Sequence, residues 1–143
     1  TSAKLDLDID IPAMSTTTDP LFVFSFGEVT GGLNTAFGLE HEGGWRFANQ
    51  QGNRDIPITG TVPTGWTHVV VTITPFATTA TGTMTIDIGG GAATATLTAV
   101  ETVGQGGTGP PPPWGLQLQV GVACAQATSA SSIFYDNVVV HFQ

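Results

Sequence analysis

The chain has 143 residues, with eleven acidic side chains against three basic ones, a formal net charge of −8, and only 10% of its residues charged. Nucleic-acid binding needs basic residues gathered along a phosphate track, and Lys4, Arg46 and Arg54 are too few and too scattered to form one. The same scarcity argues against an anionic membrane surface, and the length fits a single domain spanning residues 1–143.

Residues 4–11, Lys-Leu-Asp-Leu-Asp-Ile-Asp-Ile, set the pattern for everything that follows. Leu5, Leu7, Ile9 and Ile11 alternate with Asp6, Asp8 and Asp10, the period of a strand with one buried and one wet face. Residues 12–20 read as a turn-rich connection, and Leu21–Phe26 as a dense apolar strand buried on both faces. Thr35–Glu40 and Gly44–Ala48 form a predicted hairpin around His41-Glu42-Gly43. Ile56–Ile58 is short, and Pro57 confines it to a sheet edge.

Gly65–Ile73 is the strongest strand, with Trp66 at its start read as a core residue. Gly82–Ile88 and Ala93–Thr98 flank Gly89-Gly90-Gly91, a hairpin tip whose glycines accept positive φ. Residues 104–113 combine flexible glycines with four prolines that favour an extended polyproline conformation. Trp114–Cys124 and Ile133–Phe142 close the chain as long strands. The count is roughly ten, and no 3.6-residue pattern survives for three turns. The fold class is therefore all-β, with the strand spacing of a sandwich or barrel.

Cys124 is the only cysteine, so no internal disulfide can form. It sits among small apolar residues, where a buried, inert thiol is expected. There is no signal-peptide pattern and no apolar run of membrane-spanning length, so membrane insertion is not expected. The sequence begins at Thr1 without Met, so any leader is expected to be gone.

No catalytic motif emerges. Asp6, Asp8 and Asp10 have the spacing of an EF-hand start, but Ile11-Pro12 follows where that loop needs its glycine and distal glutamate. As a glycosidase pair, neighbours two apart on a strand lie about 6.5–7 Å apart, between the retaining and inverting separations. The strand is also terminal in the chain, where a cleft is not expected, so a solvated strand face is the reading. His41, His68 and His141 stand on separate segments without a nucleophile elbow or metal-ligand spacing. Enzymatic activity is not expected.

Three tryptophans could stack on sugar rings. Trp45, beside Arg46 in a glycine-rich hairpin, and Trp114, after the proline run, are the candidates for an exposed ligand-binding surface. Thr72 and Thr74, Thr81 to Thr85, and Thr94 to Thr98 form alternating threonine rows. These suit solvent-facing strands, with ice binding a remote alternative.

Gly65-Trp66-Thr67-His68-Val69-Val70-Val71-Thr72 resembles the Gly-x-Trp-x-His-Val strand of concanavalin-like, laminin-G-like jelly rolls. Ile133-Phe134-Tyr135-Asp136-Asn137-Val138-Val139-Val140 resembles the last strand of such domains. The resemblance covers about half the chain. It implies a two-sheet antiparallel β-sandwich that binds glycans or proteins, or serves as a structural module in secreted proteins and viral appendages. It further implies that Asp136 could help hold a structural calcium; no other cofactor is expected. The glucanase Glu-x-Asp-x-Glu strand is missing, which leaves the non-catalytic members.

These readings converge on a recognition or adhesion module at an extracellular or virion surface, with a glycan as the first ligand class. The alternative is a structural subunit, such as a virion decoration or fibre protein, forming a homo-oligomer or larger assembly. The terminal segments Leu5–Ile11 and Ile133–Phe142 are expected to be neighbours in one sheet.

Overall fold

The computed structural model describes residues 2–13, 21–30, 33–34, 37–49, 55–74, 82–100, 116–123 and 133–143. Among these every regular element is a strand: β1 (Ala3–Ile11), β2 (Leu21–Thr30), β3 (Leu33–Asn34), β4 (Phe37–His41), β5 (Trp45–Asn49), β6 (Asp55–Pro57), β7 (Thr59–Gly60), β8 (Gly65–Thr74), β9 (Gly82–Ile88), β10 (Ala93–Val100), β11 (Leu116–Ala123) and β12 (Phe134–Phe142). The all-β expectation holds, with twelve strands rather than ten. The additional pieces are the two-residue β3 and β7, too short for an alternating pattern to reveal.

The strands form two antiparallel sheets. The first runs β12-β1-β8-β9-β10-β7; the second runs β11-β2-β4-β5-β6, with β3 paired to β2. The chain ends are neighbours as expected, but β1 is flanked by β12 and by β8. The strand that begins the chain is therefore interior to its sheet, although it is terminal in the sequence.

Alternation along β1 is complete: Ala3, Leu5, Leu7, Ile9 and Ile11 are buried, and the residues between them are half-exposed. The inner residues of β1 join Val69, Val71 and Ile73 of β8, Met84, Ile86 and Ile88 of β9, and Ala93, Ala95 and Leu97 of β10. Val23, Phe24, Leu39 and Phe47 of the second sheet belong to the same buried cluster. Neighbouring Val23 and Phe24 are both buried, at a point where the register of β2 with β4 slips. The Tyr135 hydroxyl, on β12, donates to the Val23 carbonyl on β2 and so links the two sheets.

Two expected turns are in place. Gly89, Gly90 and Gly91 all have positive φ between β9 and β10, and Asp87 Oδ1 accepts the Gly91 amide at 2.8 Å. Pro57 lies on β6, at the edge of the second sheet, as expected for a residue without an N–H.

Candidate functional site

The outer face of the first sheet follows from the register. Cross-strand partners share a face, so three rows can be traced over β12, β1 and β8. Phe134, Asp10 and Trp66 form one row; Asp136, Asp8 and His68 form the next; Val139, Asp6 and Val70 form the third. One strand step further, His141, Lys4 and Thr72 are aligned. The carboxylates of β1 thus stand between side chains of both neighbouring strands.

Asp8 is the hub. Its Oδ1 lies 2.8 Å from His68 Nδ1, and its Oδ2 accepts from Asn137 Nδ2 at 2.7 Å. The bonds from Asn137 and His68 hold its carboxyl below the usual carboxylate range. Asp6 is more enclosed. Lys4 Nζ is 3.0 Å from its Oδ1, His68 Nε2 is 3.5 Å from the same oxygen, and His141 Nε2 is 3.3 Å from Oδ2. The face is therefore a connected polar patch, and two of the three histidines converge on one aspartate. His68 and His141, expected as isolated residues, are thus brought together on this solvated strand face.

Asn137 owes its position to an irregularity. Between Asp8↔Asp136 and Asp6↔Val139, β1 advances two residues while β12 advances three, and Asn137 has φ of 50°. Asparagine is among the few side chains that tolerate this left-handed conformation. Asp136 Oδ1 accepts the Asn137 backbone amide at 2.8 Å. A bulge of this kind re-aims a side chain out of the ladder, here onto Asp8.

Beside the hub is a shallow depression of about 240 Å³ lined by Asp8, Trp66, Thr67, His68 and Asp136. Trp66 was expected in the core and is instead 59% exposed. Its strand buries Thr67, Val69, Val71 and Ile73, which places Trp66 on the outer face. Phe134, in the same row, is 58% exposed. The two aromatics flank Asp10, about 9–10 Å apart across two strand spacings.

Of the expected binding residues, Trp45 and Arg46 lie elsewhere. Trp45 is half-buried, packs against the core and meets the His41 ring edge-on at 4.9 Å between centroids. The Arg46 guanidinium is held between Asp55 Oδ2, 2.7 Å from Nη1, and the carboxylate and carbonyl of Glu42. It ties the β4–β5 turn to β6. Trp114 and Cys124 lie outside the described residues, as do Arg54, Thr81 and residues 104–113.

Asp136 lines the depression with one other carboxylate, Asp8; calcium takes six to eight oxygens. Among the described residues no three metal-ligating side chains are grouped.

Chemically the patch offers carboxylates and an imidazole beside an exposed indole. His68 presents Nδ1 to one carboxylate and Nε2 towards another, so neither nitrogen is turned to a nucleophile as a triad requires. A depressed Asp8 is also the opposite of the raised carboxyl that a general acid needs. Of the residues that matter, Trp66 and Asn137 went unassigned by sequence reasoning. The polar residues sharing Trp66's parity and the mid-strand position of Asn137 were their available signals.

No family model, curated protein or solved structure matches the chain. The resemblance to jelly-roll strands therefore rests on the two segments that carry it.

Proposed function

We propose that this domain is a non-enzymatic recognition module, a jelly-roll β-sandwich displayed at an extracellular or virion surface, and that its ligand is a glycan. The exposed indole of Trp66 beside a polar depression carries this reading. A pyranose offers an apolar C–H face to an aromatic ring and a rim of hydroxyls to hydrogen-bonding groups. Trp66 supplies the first contact, and Asp8, Asp136 and His68 supply the second. Phe134 extends the platform by one further ring. The described cations support the absence of a nucleic-acid partner, since Lys4 and Arg46 are both engaged by carboxylates.

The test is Trp66→Ala on a glycan array, with folding followed by circular dichroism. Loss of binding with an intact spectrum is expected. Retained binding would remove Trp66 from the site and the reading with it.

A second reading, a structural subunit, is favoured by a different surface. Thr72, Thr85 and Thr96 align across β8, β9 and β10, with Thr74 paired to Thr83. On the edge strand β12, Val138, Val139 and Phe142 are exposed. A large native particle that Thr83→Lys with Thr96→Lys dissociates, together with silence on the array, would establish assembly instead.

A further inference from the structure

We infer that the depression beside Trp66 selects sugars bearing a free ammonium group, hexosamines, and rejects acidic sugars; this rests on the glycan reading above. The argument is one of charge placement around an aromatic face. Asp8 and Asp136 line the depression with Trp66, and Asp10 stands in the same row as the indole, between it and Phe134. A ring stacked on Trp66 therefore has carboxylates along its rim. An ammonium substituent there gains charge-assisted hydrogen bonds, and the indole face attracts the same charge through its quadrupole.

Among the described residues no free lysine or arginine offsets the negative potential. Lys4 is four residues along β1 from Asp8, about 13–14 Å at strand rise, and is spent on Asp6 at 3.0 Å. Arg46 belongs to the second sheet and bridges Glu42 and Asp55. His68 directs its Nδ1 at Asp8. A uronate, sialate or sulfate would meet Asp8, Asp10 and Asp136 with no lysine or arginine among the described residues to receive it. A neutral sugar would stack and accept only ordinary hydrogen bonds.

Asp8 can still take an ammonium although both of its oxygens are engaged. Each carboxylate oxygen has two lone pairs, and His68 and Asn137 use one on each. Those two contacts also fix the carboxylate's orientation, so little freedom is lost on binding. The net charge of −8 attracts a cationic oligosaccharide at longer range.

The probes are tetrasaccharides of β1,4-linked glucosamine, its fully N-acetylated counterpart, the corresponding glucose tetramer, and a heparin tetrasaccharide. Binding is measured by calorimetry near neutral pH, over a salt series. The glucosamine tetramer should bind at least about tenfold more tightly than the acetylated one at low salt, with the gap closing as salt screens the carboxylates. Heparin should not bind. Asp136→Asn should narrow the gap while leaving the fold intact, because an asparagine carbonyl can still accept the Asn137 amide.

Equal or tighter binding of an uncharged tetramer, binding of heparin, or an unchanged preference in Asp136→Asn would overturn the inference while the glycan reading stands. Undiminished glucosamine binding in Trp66→Ala would also overturn it, since attraction to an acidic protein alone would then explain the affinity. Failure of every tetramer to bind would remove the glycan reading itself.

Discussion

Removing one oxygen atom tests whether the two sheets are clasped where Tyr135 meets β2. Val23 is fully buried, and it falls where both of β2's ladders slip: between Phe22 and Phe24 on the β4 side, and opposite the Val120/Ala123 irregularity on the β11 side. The Tyr135 hydroxyl donates to its carbonyl at this point. Tyr135→Phe keeps the ring packed against the core and deletes only the donor. A buried acceptor left short of a partner costs about 1–3 kcal/mol. For a chain of this length, about 2 kcal/mol corresponds to a fall in Tm of roughly 4–8 °C. Urea titration followed by circular dichroism should show a lower midpoint with an unchanged slope, since the surface exposed on unfolding is the same. A loss below about 0.5 kcal/mol would refute the reasoning, because that is what a solvated, dispensable contact gives.

Two further predictions concern titration and the bulge. Burial lowers the His41 pKa, with Arg46 adding to the effect; the unfolded chain then takes up the proton first, and stability falls as pH drops below about 6.5. The difference in stability between the native chain and His41→Phe should change across that window, and a constant difference would refute it. At lower pH, Asp8's depressed pKa removes stability as pH falls below about 3.8; Glu40, raised by burial, adds stability as pH falls towards about 4.5, where its gain is complete. Deleting Asn137 should be tolerated, since it leaves Val138 opposite Leu7 and the later pairs in register. Deleting Val138 should cost about 1–3 kcal/mol by turning the Asn137 amide into the apolar face, and equal Tm values for the two deletions would refute the register.

The core was legible wherever polar and apolar residues strictly alternate. In β1 every predicted inward residue is buried, because a terminal strand obeys the same pleat as any other. Its neighbours were less accessible. Position in the chain does not set position in a sheet, and β1 lies between a strand 60 residues on, where Asp8 meets His68, and one 129 residues on, where it meets Asn137. Trp66 was misplaced because Val69-Val70-Val71 hides the parity of β8. An apolar run shows that a strand is buried but not which of its faces. The polar His68, Thr72 and Thr74 share Trp66's parity, and weighting them would have turned the indole outward.

The end of the chain carries a clearer signal than its apolar character suggests. Asp136 and Asn137 are consecutive polar residues in an otherwise apolar strand, and a regular pleat must turn one of them inward. Asp136 is paired with Asp8 on the outer face, so the inward position would be Asn137, against buried Leu7. If the same sequence paired without the bulge, His141 would turn inward opposite Ala3, and Val140 would leave its place on the inner face opposite Leu5. The left-handed turn at Asn137 resolves all three conflicts together. It keeps Asp136 and His141 outside, returns Val140 to the core side, and delivers the amide to Asp8. The polar pair therefore predicts a break in the ladder from sequence alone. The carboxylate that receives the freed side chain is fixed only by the pairing of the first strand with the last.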